Sequence, residues 1–562
     1  MATKHWNILP SDPAVGSALA ADLQAPALLA EVLAQRGIST EEQARQFFDP
    51  HLSALHDPFL MRDMEIAVQR LMQAVERGER ILLYGDYDVD GTTSVALMYA
   101  FLKPLHSNMD YYLPDRDKEG YGVSLAGVEY ARETSCTLVV AMDCGIKAHQ
   151  AIEQARQYGI DFIVCDHHLP EGELPPAIAN LDPKRPDCPY PYKDLSGCGI
   201  AFKLAQGVVA HTHKATEALE PLLDFVALSI ACDMVPLTGE NRILAWHGLR
   251  KLNLSPRLGI WALINRSGRP YPLNVNDLVF GLGPLINSAG RLGDAREAVR
   301  LLLASDRNSA LDAAAHLVQR NRQRQEIDLA ATKAARQRAR HIAEHTNRKS
   351  IVLFDAGWHK GIIGITASRI AEDFHKPTII FTESDGRAVG SARSVPGFDL
   401  YKALQACEDL FISFGGHAHA AGMQMPLEHI ESFSARFEAL VQTNLQPEDE
   451  QPVIDISGVI QLDEITSEFW QTLKLLAPFG PDNMNPVFVA RQVKALGPGK
   501  RLDNNHVRFT VQQGNASFSA VAFGLADQFE AVRKGPFDMV FNLREEQWRG
   551  NTVVSLVVKD LR

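Results

Sequence analysis

No C-x-x-C pair occurs among the seven cysteines of this chain, and their number is odd. Most sit in apolar stretches such as "IVCD" and "SIACD", which speaks against a disulfide scaffold and a thiolate zinc cluster; small buried thiols in a reducing compartment are expected. Long hydrophobic runs are missing too. No stretch approaches the roughly 18 uncharged apolar residues of a membrane span. The opening "MATKHWNILPSDPAVGSALAADLQAP" has no charged segment leading into an apolar core. A soluble, unexported, cytoplasmic protein with no membrane partner is expected. Net positive charge is also absent: a formal charge of -12 and a pI near 5.9 argue against a general nucleic-acid coat, which needs local positive charge to meet phosphate. One local exception lies between His316 and Lys349, where nine Lys or Arg stand against three acids. That stripe reads either as the solvated face of a long helix or as a substrate contact.

What is present is enough chain for several cores. A single core stops growing near roughly 250 to 300 residues, and there are 562 residues here. Residues 1–55 read as short helices, "APALLAEVLAQRG" closed by Gly37 and "STEEQARQFF" opened by a Ser/Thr cap with acids behind it. Within 56–305, short apolar runs ("RILLYG", "MDYYLP", "TLVVAMD", "DFIVCD") alternate with helical segments, the pattern of a parallel sheet covered on both faces. Residues 306–346 predict one long connecting helix without Gly or Pro. A second α/β unit follows over 347–445, then the acidic linker "NLQPEDEQPV". Over 452–562, five or more short alternating strands predict a small β-barrel of the OB type.

The chemistry gathers where strands end, since ligands bind at the carboxyl edge of a parallel sheet. "ILLYGDYDVDGTTS" places Asp86, Asp88 and Asp90 after an apolar run. An EF-hand loop starting at Asp86 would need Glu at its twelfth position and a preceding helix; Leu97 and a strand stand there instead. Asp143 in "VVAMDCG", Asp166, His167 and His168 in "IVCDHHLP", and Asp233 in "SIACDMVPL" are read as three further strand ends. Four acid-bearing strand ends, one with paired histidines, make a mixed oxygen and nitrogen site for two hard divalent ions, Mn2+ or Mg2+ rather than zinc. Any one such Asp taken alone is more simply a helix cap.

The segments "YGDYDVDGTTS", "MDCG", "CDHH" and "CDMVPL", in this order, resemble the four motifs of the DHH phosphoesterase superfamily. "GSARS" at 390–394 and "GGHAHAAG" at 415–422 resemble its associated DHHA1 domain. With the helical extension, connector and barrel, the whole chain is similar to the branch of that superfamily that degrades single-stranded DNA. The resemblance implies a DHH catalytic domain at 56–305, a DHHA1 domain at 347–445 and a nucleic-acid-binding OB-like domain at 452–562. It implies a 5′-to-3′ exonuclease on single-stranded DNA that releases mononucleotides in DNA repair and recombination, with a helicase and a single-strand-binding protein as further candidate partners. Asp86 and Asp143 would hold one metal; Asp88, Asp143, His167 and Asp233 the other. A shared carboxylate such as Asp143 suits two ions about 4 Å apart. His168 is assigned to the scissile phosphate or leaving oxygen, and Asp166 and Asp90 to orienting ligands and backbone. Arg291, in a Gly-containing turn, Ser391 and Arg393 resemble an anchor for a terminal phosphate. His417 would reach the scissile region. Arg116 and Tyr121 lie in "LPDRDKEGYG" beside the sheet edge, Tyr121 either stacking on a base or packing. Some family members carry a metal-binding histidine two residues before the first aspartate; this chain has Tyr84, which implies a weaker first metal site. Two other readings stay open: a phosphodiesterase for short oligonucleotides or cyclic dinucleotides, or a pyrophosphatase; and a non-catalytic single-strand binder, against which the retained aspartates speak.

Overall fold

The computed structural model describes residues 4–116, 118–214, 216–548 and 551–562. Met1 to Thr3 of the N-terminal extension, Asp117 of "LPDRDKEGYG", Ala215, and Arg549 and Gly550 at the end of "FDMVFNLREEQWRG" lie outside them. The chain forms two compact units, one from residues 11–321 with 464–486, the other from 1–10, 322–463 and 487–562.

The first unit is built on five parallel strands in the order Met109–Tyr112, Ile81–Gly85, Leu138–Met142, Asp161–Cys165, Ala179–Leu181. Strand alternation assigns Ile81, Leu83, Val140 and Ile163 to one face and Leu82, Tyr84, Val139, Ala141 and Phe162 to the other. Helices cover both, which explains why these strands are apolar without interruption. Ile81–Gly85 has neighbours from later in the chain on both sides, so the strand order reverses between it and Leu138–Met142. Such a switch point opens a crevice at the carboxyl ends, and Asp86 and Asp143 follow these two strands.

Three local expectations change. Asp233 does not end a strand; it caps the helix Leu223–Cys232 at its C-terminus. "LDFVALSIAC" is buried all round except at Cys232, and a continuous apolar run has no period by which to tell a buried helix from a strand. Arg291 is not in a turn but in the last turn of the helix Gly283–Leu292. Gly290 there serves close packing, since a β-carbon would come 2.6 Å from the Tyr87 carbonyl. Beyond the barrel's start, the helix Ser467–Leu475 and the residues up to 486 belong to this first unit. Arg242 holds them: its guanidinium donates to the carbonyls of Leu476 (3.0 Å), Ala477 (2.9 Å) and Phe47 (2.9 Å), and lies 3.6 Å from the Phe47 ring centre.

The long helix runs Arg307–His345. In the second unit it packs beside a five-stranded sheet ordered Ser413–Gly416, Ala420–Pro426, Arg387–Arg393, Thr378–Ser384, Ile351–Phe354. Part of the basic stripe is engaged in ion pairs: Arg336 with Asp373, Arg338 with Asp355, and Arg324 together with Arg369 on the buried Asp328. The barrel closes because Phe488–Leu502 pairs with both His506–Gln513 and Phe537–Trp548, the circuit completed by Ala516–Ala522 and Asn551–Leu561. Closure removes free strand edges, as in an OB barrel; three of these strands exceed ten residues and are longer than expected. The N-terminal extension is not wholly helical either. His5–Ile8 is a strand, parallel to Val453–Ile456.

Candidate metal centre and phosphate anchor

The strand Ile81–Gly85 delivers Asp86 into the crevice, fully buried. Neither of its carboxylate oxygens has a hydrogen-bond partner among the described residues. Two residues on, Asp88 caps the helix Val89–Leu102, accepting from Gly91 N–H at 3.1 Å. Asp90, in the first helical turn, accepts from the N–H groups of Gly197 (2.7 Å) and Cys198 (2.8 Å) and from Ser229 Oγ (2.7 Å). It thereby ties the helix Gly197–His211 to the centre.

Asp143 follows Leu138–Met142 with φ of 60°, the left-handed region that non-glycine residues rarely occupy. Its Oδ1 stands 3.2 Å from His167 Nε2, and Asp233 Oδ2 lies 3.5 Å from the same nitrogen. Both ring nitrogens of His167 are buried without a hydrogen-bond partner among the described residues. The ligand atoms fall into compact sets, Asp86 with Asp88 and Asp143, Asp90 with His167 and Asp233, and Asp143 with His167 and His168, each within 4.8 Å. Buried, unsatisfied acceptors in this number fit divalent cations: buried polar atoms are otherwise paired, and unneutralised carboxylates at this spacing repel. The acid chemistry agrees. Burial, reinforced by the neighbouring carboxylates, pushes Asp86, Asp143 and Asp233 well above the usual carboxylate range, and burial pulls His167 down to about 4.

Asp166 and His168 behave oppositely. Asp166 accepts from the N–H groups of Ile146 (2.9 Å) and His167 (2.8 Å) and from His168 Nδ1 (2.7 Å). Burial alone would raise it, but the hydrogen bond and charge of His168 bring it to about 2, and the same contact outweighs burial to raise His168. Tyr121 is half exposed, and its hydroxyl lies 3.0 Å from His168 Nε2 and 3.1 Å from the Asp143 carbonyl. Its polar end is thus turned to the histidine, and its ring meets the Tyr87 and His168 rings edge-on. Tyr84 faces elsewhere: its hydroxyl donates to the Gly122 carbonyl (3.0 Å) and accepts from Ser124 N–H (3.1 Å).

Arg116 lies over the Tyr87 ring and lines a cleft of about 480 Å³ with Gly290, Leu292 and Arg296; in the chain Arg291 stands between Gly290 and Leu292. Ser391, Arg393 and His417 belong to the second unit. There Arg393 Nη1 donates to Ser391 Oγ at 3.2 Å. His417 is exposed in the turn between Ser413–Gly416 and Ala420–Pro426, its Nδ1 accepting from His419 N–H at 3.2 Å. Sequence reasoning passed over Gly197, against which the Asp143 side chain packs, and Asp182, buried beside Asp166 after the short strand Ala179–Leu181 and raised by burial to about 7. The signals available were the small residues of "SGCG" and one more acid after a strand.

Comparison with known proteins agrees with this architecture. Residues 80–230 match the DHH family N-terminal domain, 347–443 the DHHA1 domain and 456–560 the RecJ OB domain. The chain is 34% identical over 565 residues to the single-stranded-DNA-specific exonuclease RecJ of Bacillus subtilis, covering 99% of this chain and 70% of that protein. It is 34% identical over 573 residues to the protein of the same name from Escherichia coli, covering 96% and 97%. The crystal structure of RecJ in complex with Mn2+ from Thermus thermophilus superposes with a TM-score of 0.85 at 27% identity, over 99% of this chain and 79% of that one. The same protein has also been solved with Mg2+.

Proposed function

The chain belongs to the RecJ family, and from that premise we propose that it is a metal-dependent exonuclease that degrades single-stranded DNA from the 5′ end to mononucleotides in DNA repair and recombination. The observation that carries the reading is the cluster of buried acids and His167 with unsatisfied ligand atoms at the switch point of the sheet. Asp86, Asp88 and Asp143 would hold one Mn2+ or Mg2+, and Asp143, His167 and Asp233 with Asp88 the other. Bound there, such ions lower the pKa of a coordinated water and offset charge on the phosphate. Asp90, saturated by hydrogen bonds, keeps the helix Gly197–His211 in register with Asp143.

His168 acts on the proton of the departing 3′-oxygen. Asp166 holds Nδ1, so Nε2 is the atom that gives the proton, and Tyr121 steadies that nitrogen until substrate takes its place. Ser391 Oγ accepts from Arg393 and has no acceptor for its own proton among the described residues. A guanidinium edge beside such a hydroxyl suits a terminal phosphate dianion. Arg116 and Arg291, in the first unit, are proposed separately as substrate contacts. His417, exposed in its turn in the second unit, is proposed as a further substrate contact. The first metal site is the weaker, because the Tyr84 hydroxyl is committed to Gly122 and Ser124. The barrel grips the incoming strand, which the phosphodiesterase alternative has no need to do. Single-stranded DNA is the substrate; a helicase and a single-strand-binding protein remain proposed partners, in the cytoplasm.

Asp143→Ala tests the centre. It should abolish Mn2+-dependent release of nucleotides while leaving the affinity for single strands within about three-fold, and nuclease activity that survives it refutes the assignment. Digesting 5′-labelled and 3′-labelled strands side by side tests the polarity.

A further inference from the structure

We infer that Ser368 is a positioning residue for Arg393, and that Ser368 with Gly364, one turn before it, sets the direction in which that guanidinium meets a terminal phosphate. The inference rests on the reading of Arg393 as a phosphate ligand. Ser391 and Arg393, two apart on the strand Arg387–Arg393, share one face of the sheet, and the helix Ile363–Phe374 brings Gly364 and Ser368 against it. The Ser368 hydroxyl gives its proton to the Gly364 carbonyl at 3.1 Å, four residues back, a bond that Ser and Thr make within helices. Its lone pair is then fixed as an acceptor, and Arg393 Nε–H donates to it at 3.0 Å. Arg393 Nη1 donates to Ser391 Oγ at 3.2 Å and to the Ala392 carbonyl at 2.7 Å.

A guanidinium is planar, so pinning Nε and Nη1 determines where Nη2 stands. It stands over Gly364, where a β-carbon would lie 3.2 Å from Nη2 and 3.1 Å from Ser391 Oγ. Gly364 is the second residue of the helix, whose opening N–H groups carry positive partial charge and lack intrahelical partners. A phosphate at the Nη2 edge therefore meets the guanidinium, the Ser391 hydroxyl and the helix start together, provided the fork does not turn and no side chain grows from residue 364.

The test uses the full-length protein with Mn2+ on one single-stranded oligonucleotide carrying either a 5′-phosphate or a 5′-hydroxyl. Ser368→Ala should raise KM for the phosphorylated strand about five-fold, the net size of one ordinary hydrogen bond, and leave its kcat within about two-fold. Ser368→Thr, able to make the same bond four residues back, should restore the 5′-phosphate preference, and Gly364→Ala should reduce it as Ser368→Ala does. If Arg393→Ala abolishes the preference while Ser368→Ala, equally stable to heat, keeps it, the positioning role is wrong and the phosphate reading stands. If Arg393→Ala also leaves the preference intact, the phosphate reading itself fails. A loss of kcat on both substrates with a lowered melting temperature, unrelieved by Ser368→Thr, would make Ser368 a packing residue and overturn the inference.

Discussion

Asp143 sits in the left-handed region with φ of 60°, a strain of roughly 1 to 3 kcal/mol, among carboxylates that repel it. Asp86, Asp143 and Asp233 are all raised, first by burial and then by one another's neighbours Asp88 and Asp90. The sign follows from proton counting. Above the ordinary carboxylate range, about pH 4, the unfolded chain has released these protons and the folded chain has not, so folding stability falls as pH rises through that window toward the raised values. The melting temperature of the metal-free protein should therefore drop as pH rises above about 5 on account of these three acids, less steeply below about 6.5, where His167, held down to about 4, contributes the opposite slope, and Mn2+ should recover it by binding the folded state alone; a flat metal-free profile would contradict the electrostatic account. Tyr84 makes the complementary case. Tyr84→Phe removes a hydroxyl that serves Gly122 and Ser124 and should lower stability by about 1 to 2 kcal/mol. Mn2+ affinity measured by calorimetry should hardly change, whereas a sharp loss would show that the phenol had been a ligand.

At the scale of elements, the centre depends on how closely the helix Gly197–His211 starts against the strand end at Asp143. A β-carbon on residue 197 would lie 2.6 Å from Asp143 Cβ and 3.0 Å from its Oδ1. Gly197→Ala should consequently weaken Mn2+ binding by about ten-fold or more, as misplaced or unsupported metal ligands commonly do, even though it favours helix in isolation; titration of Mn2+ into the variant checks this. Which elements carry the site was largely readable beforehand. Asp86, Asp143 and Asp166 follow five-residue apolar strands flanked by helices, a local pattern. Asp233 was misplaced because a helix buried nearly all round looks like a strand, and Arg291 because Gly290 looks like a turn former while it serves packing. The three-residue strand Ala179–Leu181 is too short to show any period. The bond between Arg393 and Ser368 joins residues 25 apart, and the orientation of Tyr84 depends on Ser124; no spacing rule encodes either.

At the scale of the molecule, chain order and spatial grouping diverge. Residues 464–486 return to the unit formed by 11–321, with Arg242 as the bolt. Arg242→Ala would take the guanidinium from the carbonyls of Phe47 and Ala477, while Leu476 keeps Asn483 Nδ2 at 3.0 Å, and should lower the unfolding free energy by about 3 kcal/mol and expose 464–486 to limited proteolysis. Arg242→Lys should rescue little, since an ammonium cannot reproduce a planar fork. The strand His5–Ile8 has a related history, because its parallel partner Val453–Ile456 emerges from the ribosome some 450 residues later. At roughly 5 to 20 residues per second, that interval is on the order of a minute, during which the first-made β-segment is an unpaired edge. The catalytic unit likewise lacks its returning segment until residue 486 has been made. An enzyme that digests single strands thus stays incomplete for most of its own synthesis, and the unit that carries its centre closes only when most of the chain has been delivered.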